Sequence, residues 1–159
     1  MDQMEASSAC AGCGVVVRGG RAGCQTLFEA LGLRAYGDPA RARFQRLVTD
    51  IYCLQHPDRY CRSAKSLAAH LAGLCWAVEY GGHETGYRAL NRFLDGTPTI
   101  QKPAIPPFRG TITIASIVDV ADAMAYACAV DHWARSTWDA YVALHPVARA
   151  WIADALATH

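Results

Sequence analysis

The chain has 159 residues and balanced charge, with 15 basic and 14 acidic side chains and a formal net charge of +1. This length is that of one ordinary domain, which buries enough surface to fold without a disulfide or a metal. Nucleic-acid binding depends on a basic excess or stripe, and no such run is present, so we expect no nucleic-acid partner. No stretch approaches the ~20 apolar residues that span a membrane, so we expect no membrane association.

The cysteines and the first residues indicate the compartment. Seven cysteines are scattered along the chain, at positions 10, 13, 24, 53, 61, 75 and 128. The first nine residues are mostly polar and include Asp2 and Glu5, unlike the basic and then apolar regions of a signal peptide. We therefore expect a cytoplasmic protein with reduced thiols rather than a disulfide framework.

The chain begins with a cysteine-rich segment, residues 1–23, that is similar to a zinc knuckle. Within it, Val15-Val16-Val17 is followed by Gly19 and Gly20, which favours a short strand or extended run and a tight turn. Hydrophobic periodicity then predicts helices through most of the remaining sequence. We expect a single, mainly α domain over residues 1–159, an approximately six-helix bundle preceded by the cysteine knuckle.

Four helices are predicted over the next segment, residues 24–96. The first covers residues 24–31 and ends near Gly32. The second starts at Asp38-Pro39, an N-cap followed by proline at the first helical position, and ends at His56-Pro57. The third is capped by Ser63 or Ser66 and stopped by two glycines at 81–82, and the fourth covers about 84–94.

The C-terminal third begins with a Pro-rich connection, residues 97–112. Four prolines between 97 and 109 predict an irregular segment that wraps the surface or covers a site. Residues 111–114 alternate like a strand, but Ser116 to Asp119 resembles a capping box, and we favour a helix start there with a brief extended lead-in. Two or three helices over residues 113–159 then complete the chain.

Cys10 and Cys13 are the clearest candidates for chemistry. Two residues separate them, so both thiolates can point at one ion, and Gly12 permits the turn. Thiolates suit Zn²⁺, and a closed structural site needs four ligands, of which this pair supplies half. We favour a metal over idle thiols or a redox dithiol, because the redox pair is typical of a βαβ pattern that is absent here.

Three residues are candidates for the remaining ligands: Cys24, His56 and His70. Cys24, at a predicted helix start, is a third ligand, a reactive thiol favoured by the helix dipole, or a small packed residue. The other cysteines lie in apolar helical surroundings, and we expect them in the core.

The two histidines lie on consecutive predicted helices. If residues 57–62 form a turn between antiparallel helices, His70 faces Asp50 or Thr49, and the histidines stand about two turns, ~10 Å, apart. The two imidazoles can still bind one shared ion at this distance, but it leaves little freedom in the position of either side chain. Asp50 can orient His70 as the outer shell of a metal site or as a general base, or it simply satisfies a buried histidine.

The chain also resembles a family of small uncharacterised bacterial proteins, a domain of unknown function. The matching residues are Cys10-x-x-Cys13-Gly14, Cys24, Val48-Thr49-Asp50-x-Tyr52-x-x-Gln55-His56-Pro57, Ser63-x-x-Ser66-x-x-x-His70-Leu71, Gly110-x-x-Thr113 and Trp133-Ala134-x-x-x-Trp138. The resemblance implies that one functional centre contains Cys10, Cys13, Cys24, Asp50, Gln55, His56 and His70. Gln25 stands where the family typically has tryptophan.

The sequence is consistent with three functions. The first is a cytoplasmic zinc-binding helical protein of unknown role, whose Zn²⁺ is bound by Cys10, Cys13 and two of Cys24, His56 and His70. The second is a metal-dependent, hydrolase-type enzyme with a metal-activated water and Asp50 and His70 as the acid–base pair. The third is a partner-binding accessory protein, which an exposed apolar patch would indicate.

Overall fold

The computed structural model describes residues 6–158, and within that range six long helices pack around one apolar core. Asp2 and Glu5, part of the polar segment used to argue against a signal peptide, lie outside the described residues. The predicted mainly α fold is confirmed. The elements are β1 (Ser7–Ala9), β2 (Val16–Arg18), α1 (Gly20–Ala35), α2 (Pro39–Ala42), α3 (Gln45–Gln55), α4 (Pro57–Tyr60), α5 (Ala64–Tyr80), α6 (Glu84–Asp95), α7 (Ala123–Ala140) and α8 (His145–Ala157).

The helices α3 and α5 form the centre of the bundle. They pack against each other, while α7 covers α3, and α6 and α8 cover α5. On α5, Leu67, Leu71 and Leu74 are fully buried. A fully buried leucine contributes roughly 1.5–3 kcal/mol relative to an exposed one, so this row is a main source of the stability of the bundle.

The N-terminal segment is a small hairpin. The strands β1 and β2 pair antiparallel, with Ser8 opposite Val17. The extended run at 15–17 was predicted, but its partner strand was not, because three small residues carry no alternating pattern. The turn of this hairpin contains the Cys10 to Cys13 segment and places it at one end of the bundle.

Local signals set several helix ends as predicted. The Asp38 side chain accepts a hydrogen bond from the Ala40 N–H at 3.0 Å. Ser63 and Ser66 form a reciprocal capping box at the start of α5. Gly81 ends α5 with a left-handed φ of 82°, a conformation that glycine adopts without strain.

The predicted second helix is divided in two. The Phe44 N–H bonds to the carbonyl of Arg41, three residues back, and this tighter turn separates α2 from α3. Pro57 follows the end of α3 and also begins the next helix. It occupies the first position of the single-turn α4, where its missing N–H is tolerated.

The predicted helix start at Ser116 was wrong. Residues Ile114–Ser116 form a 3-10 turn, and α7 begins only at Ala123, capped by Asp122. Side chains from distant helices hold the intervening segment. Arg34 donates to the carbonyl of Val118, and Arg41 donates to the carbonyls of residues 120 and 121.

The first helix, α1, is longer than predicted. It starts at Gly20, one turn before the predicted start, and continues through Gly32 to Ala35.

Within residues 6–158, none of the helices has both the length and the apolar character that crossing a bilayer requires.

Candidate metal centre

The hairpin turn builds the first half of the site. The Cys10 N–H donates to the carbonyl of Val15 at 2.8 Å, and the Gly14 N–H donates to the carbonyl of Cys10 at 2.8 Å. Gly14 has a φ of 79°, which a residue with a side chain rarely adopts. These bonds close the Cys10-Ala11-Gly12-Cys13 segment into a compact knuckle.

The helices α1 and α3 supply the second half. Cys24 lies in the second turn of α1, because that helix begins at Gly20, so the predicted place at the helix start was wrong. His56 directly follows the last residue of α3. We call Cys10, Cys13, Cys24 and His56 the four-ligand cluster, because their ligand atoms all lie within 4.8 Å of one another.

Three of the six separations within the cluster match those around one tetrahedral ion, and all six are at most 4.8 Å. Bond lengths of ~2.3 Å for Zn–S and ~2.0 Å for Zn–N place two ligand sulfurs about 3.8 Å apart and a sulfur and a nitrogen about 3.6 Å apart. The Cys13 and Cys24 sulfurs are 3.7 Å apart. His56 Nε2 lies 3.4 Å from Cys10 Sγ and 3.5 Å from Cys24 Sγ. The cluster could therefore hold a metal ion.

The cluster is largely enclosed. Cys10, Cys24 and His56 are each at most 2 % exposed, and Cys13 is partly buried. Thiolates in so enclosed a place are stabilised by sharing a cation, because a buried ionised group is costly when it is unpaired. Burial and ligand type thus both suit a metal.

The orientation of His56 is fixed by its neighbours. Its Nδ1 lies 2.7 Å from the Tyr52 carbonyl, and because a carbonyl can only accept, Nδ1 carries the proton and Nε2 presents its lone pair to the cluster. The imidazole also stacks on the Tyr52 ring at 4.0 Å, and that ring stacks on Phe28 at 4.0 Å. The Tyr52 hydroxyl donates to Cys24 Sγ at 3.8 Å.

Gly12 makes room for this imidazole. A Cβ at position 12 would lie 2.3 Å from His56 Cδ2, closer than real contacts allow. The sequence predicts Gly12 as a turn residue, whereas Tyr52 appears only in the family pattern. Tyr52 lies four residues before His56 at the end of a predicted helix, and this spacing is the signal that could have linked them.

A shared proton links Cys13 and Cys24. A hydrogen bond from the Cys24 thiol lowers the pKa of Cys13 to about 4, against the effect of burial. The same bond, and then burial, raises the pKa of Cys24. A thiolate is the form that binds a metal ion, so the cluster already favours one ionised ligand.

His70 lies outside the four-ligand cluster. Its Nδ1 is 2.9 Å from Asp50 Oδ1, which is the facing pair that the helix spacing predicts. The Arg46 Nε donates to the other carboxylate oxygen at 3.1 Å. Asp50 is 1 % exposed, and burial raises its pKa in spite of the hydrogen bond from His70 and the charge of Arg46. Of the three candidates for completing the site, the structure brings Cys24 and His56 to the knuckle.

Gln55 connects segments of the fold and is not one of the four ligands. Its buried amide donates to the carbonyls of Arg109, at 3.1 Å, and Ile112, at 2.8 Å. The Trp133 indole donates to its Oε1 at 3.0 Å. Gln55 therefore joins the end of the Pro-rich connection to α3 and α7, adjacent to His56.

Arg109 brings the same connection to the knuckle. Its guanidinium donates to the Gly12 carbonyl at 3.3 Å. A cavity of about 310 Å³ remains between the knuckle and residues 107–110. The irregular connection thus lies beside the four-ligand cluster.

The remaining cysteines differ in environment. Cys53, Cys61 and Cys75 are buried as expected, and burial raises the pKa of each thiol to about 12. The expectation was wrong for Cys128, which is exposed on α7. The three buried thiols are therefore packing residues.

Comparisons with known proteins give a family without an activity. A model of the family of unknown function DUF5946 matches residues 8–142, a segment that contains the four-ligand cluster, Asp50 and His70. No curated protein and no solved structure matches the chain significantly. Since this one model spans most of the sequence, the chain belongs to the DUF5946 family of unknown function.

Proposed function

We propose that this protein binds one Zn²⁺ through Cys10, Cys13, Cys24 and His56, and that the ion fastens the N-terminal hairpin to α1 and to the end of α3. The observation that carries the proposal is that the four ligand atoms all lie within 4.8 Å of one another, and that three of their separations, 3.4–3.7 Å, match those around one tetrahedral ion. Three thiolates and an imidazole suit Zn²⁺ better than the oxygen-preferring Ca²⁺ or Mg²⁺.

The ligand count supports a structural role. Four protein ligands complete the tetrahedron of a structural zinc site, whereas a catalytic site keeps one position for water. The ligands come from three segments, with 42 residues between Cys13 and His56. Zn²⁺ supplies a cross-link between these segments. The seven cysteines, all free, further favour a reducing compartment such as the cytoplasm.

Elemental analysis of the purified full chain tests the proposal. We expect one zinc per chain in the wild type, and a marked loss of zinc in Cys10→Ser and His56→Ala. Cys128→Ser is the matched control, because it removes an exposed thiol outside the cluster. Absence of stoichiometric metal from the wild type, together with an unchanged unfolding temperature in Cys10→Ser, would refute the proposal.

A cobalt experiment tests the same site in the wild-type protein, so its result does not depend on whether a variant folds. Wild-type protein stripped with a chelator and loaded with Co²⁺ should show the visible bands of a tetrahedral thiolate site. Zn²⁺ should then displace the cobalt and remove these bands. Octahedral bands, or no bands with folded protein, would contradict a site made of these four residues.

A second candidate function rests on Asp50 and His70. The carboxylate holds Nδ1 at 2.9 Å, and the His70 side chain is 21 % exposed. A histidine oriented in this way can act as a general base at Nε2. Under this second hypothesis the protein is an enzyme whose proton transfer takes place at His70, apart from the four-ligand cluster. His70→Gln should then abolish its activity while leaving the zinc content unchanged.

A further inference from the structure

A second feature of the molecule is a cavity of about 400 Å³ where α3, the end of α5 and α6 meet. Its size lies toward the lower end of the ~300–1,000 Å³ typical of small-molecule pockets. Apolar side chains and two arginines line it together. The lining includes Arg43, Phe44, Arg46, Leu47, Ala77 and Tyr87.

Arg46 is held rigidly at this cavity. Its Nε donates to Asp50 Oδ2 at 3.1 Å, and its guanidinium lies over the Tyr87 ring, 4.9 Å from the centroid. Among residues 6–158, no hydrogen-bond partner occupies its two terminal nitrogens. An arginine fixed in this way loses little freedom on binding, and its planar fork can take two oxygens of one anion.

The fold maintains this arrangement at a cost. Asp50 is 1 % exposed, and a buried ion pair rarely improves stability over apolar residues of similar size. It also requires Gly73 inside α5, where a Cβ would lie 2.3 Å from Asp50 Oδ2. Glycine inside a helix costs about 0.5–1 kcal/mol relative to alanine. The buried carboxylate is therefore better explained by the two side chains that it holds, Arg46 on Oδ2 and His70 on Oδ1, than by stability.

The charge around the cavity favours an anion. Arg43 has no carboxylate partner among the described residues, and its guanidinium lies over the Phe44 ring at 4.6 Å. The one acidic lining residue, Asp131, is paired with Arg135 at 2.9 Å. Arg46 is paired with the buried Asp50 through Nε alone, so the charge of Arg43 and the terminal nitrogens of Arg46 are open to an anion.

We propose that this cavity binds a small molecule carrying a carboxylate or phosphate group, with Arg46 as the main anion ligand and Arg43 as a second. The apolar wall of Phe44 and Tyr87 would contact the remainder of that molecule. The proposal involves none of the residues of the four-ligand cluster. It therefore stands or fails independently of zinc.

NMR titration of the full-length, isotope-labelled protein tests the site. Inorganic phosphate and, separately, acetate are added at constant ionic strength, and the two series distinguish a phosphate from a carboxylate preference. We expect saturable shifts at the Arg46 side-chain N–H and at the amides of Gly82 and Tyr87. Shifts that do not saturate, or that are equal at exposed arginines elsewhere, would overturn the proposal.

Two variants and a control test whether the two arginines bind the anion. Arg46→Gln should weaken binding at least about tenfold, because a hydrogen bond to a charged group contributes ~1.5–3 kcal/mol. Arg43→Glu, at an exposed position, reverses one charge without touching Asp50 and should also weaken binding at least about tenfold. Arg88→Gln on α6, paired with Glu84 outside the cavity, is the control and should bind as the wild type does. Unchanged binding in Arg43→Glu and Arg46→Gln would refute the assignment.

Discussion

Replacement of Gly73 by alanine tests the contact between α5 and the Asp50 carboxylate. An added Cβ would lie 2.3 Å from Oδ2 and 3.4 Å from Oδ1, so the carboxylate must move. Overpacking of this kind costs about 1–3 kcal/mol. Displacement also weakens the bonds of Asp50 to His70 and Arg46, and breaking a buried pair completely costs about 3–5 kcal/mol.

The helical preference for alanine opposes this loss by about 1 kcal/mol. With partial loss of the ion pair, we expect Gly73→Ala to lower the free energy of unfolding by about 2–4 kcal/mol. In a chain of this length 1 kcal/mol shifts the unfolding temperature by about 2–4 °C, so the decrease should be roughly 5–15 °C. Urea and thermal unfolding followed by circular dichroism measure both quantities.

Gly32→Ala is the matched control, since Gly32 also lies inside a helix. A Cβ there would meet only Gln45 Nε2, at 3.7 Å, which is an ordinary contact. We expect this variant to be more stable by about 0.5–1 kcal/mol. If both alanine variants gained stability to the same extent, Asp50 would not be held as tightly as the distances indicate, and the reasoning would be refuted.

Three further variants test other parts of the molecule. Gly12→Ala places a Cβ 2.3 Å from His56 Cδ2, so elemental analysis should find less zinc per chain; full zinc content would contradict the proposed site. Gln55→Leu leaves the Trp133 N–H unsatisfied and should cost about 2–4 kcal/mol in urea unfolding; a loss below about 0.5 kcal/mol would contradict this. Glu79→Gln breaks an ion pair with Arg149 and should lower the unfolding temperature more at pH 7 than at pH 3.

The sign of the Glu79 prediction follows from its lowered pKa. The bond from Arg149 lowers the pKa of this carboxyl below its ordinary value of 4.5, against a smaller effect of burial. The ionised form is thus favoured in the folded state, so its stabilisation is present above about pH 4.5 and is lost as the pH falls through the folded-state pKa. Because the pair is partly exposed, we expect less than about 1 kcal/mol. An equal difference at both pH values would contradict this assignment.

Helix class and most helix ends were readable from the sequence because they depend on neighbouring residues. The cap at Asp38, the capping box at Ser63 and the glycine stop at 81 act within one turn of the chain. The start of α7 was not readable. Arg34 and Arg41, more than 75 residues away, hold the segment before it, and such contacts have no local pattern.

For the candidate site, the sequence by itself determined two local pairs: Cys10 with Cys13, through a two-residue turn, and Asp50 opposite His70, through antiparallel helices. Only the tertiary structure decided that Cys24 and His56 meet the knuckle and that His70 does not. The physical reason is the packing of the hairpin against α1, together with the Tyr52 carbonyl that orients the imidazole. Spacing along the chain narrows the candidate ligands to a few, and packing between segments selects among them.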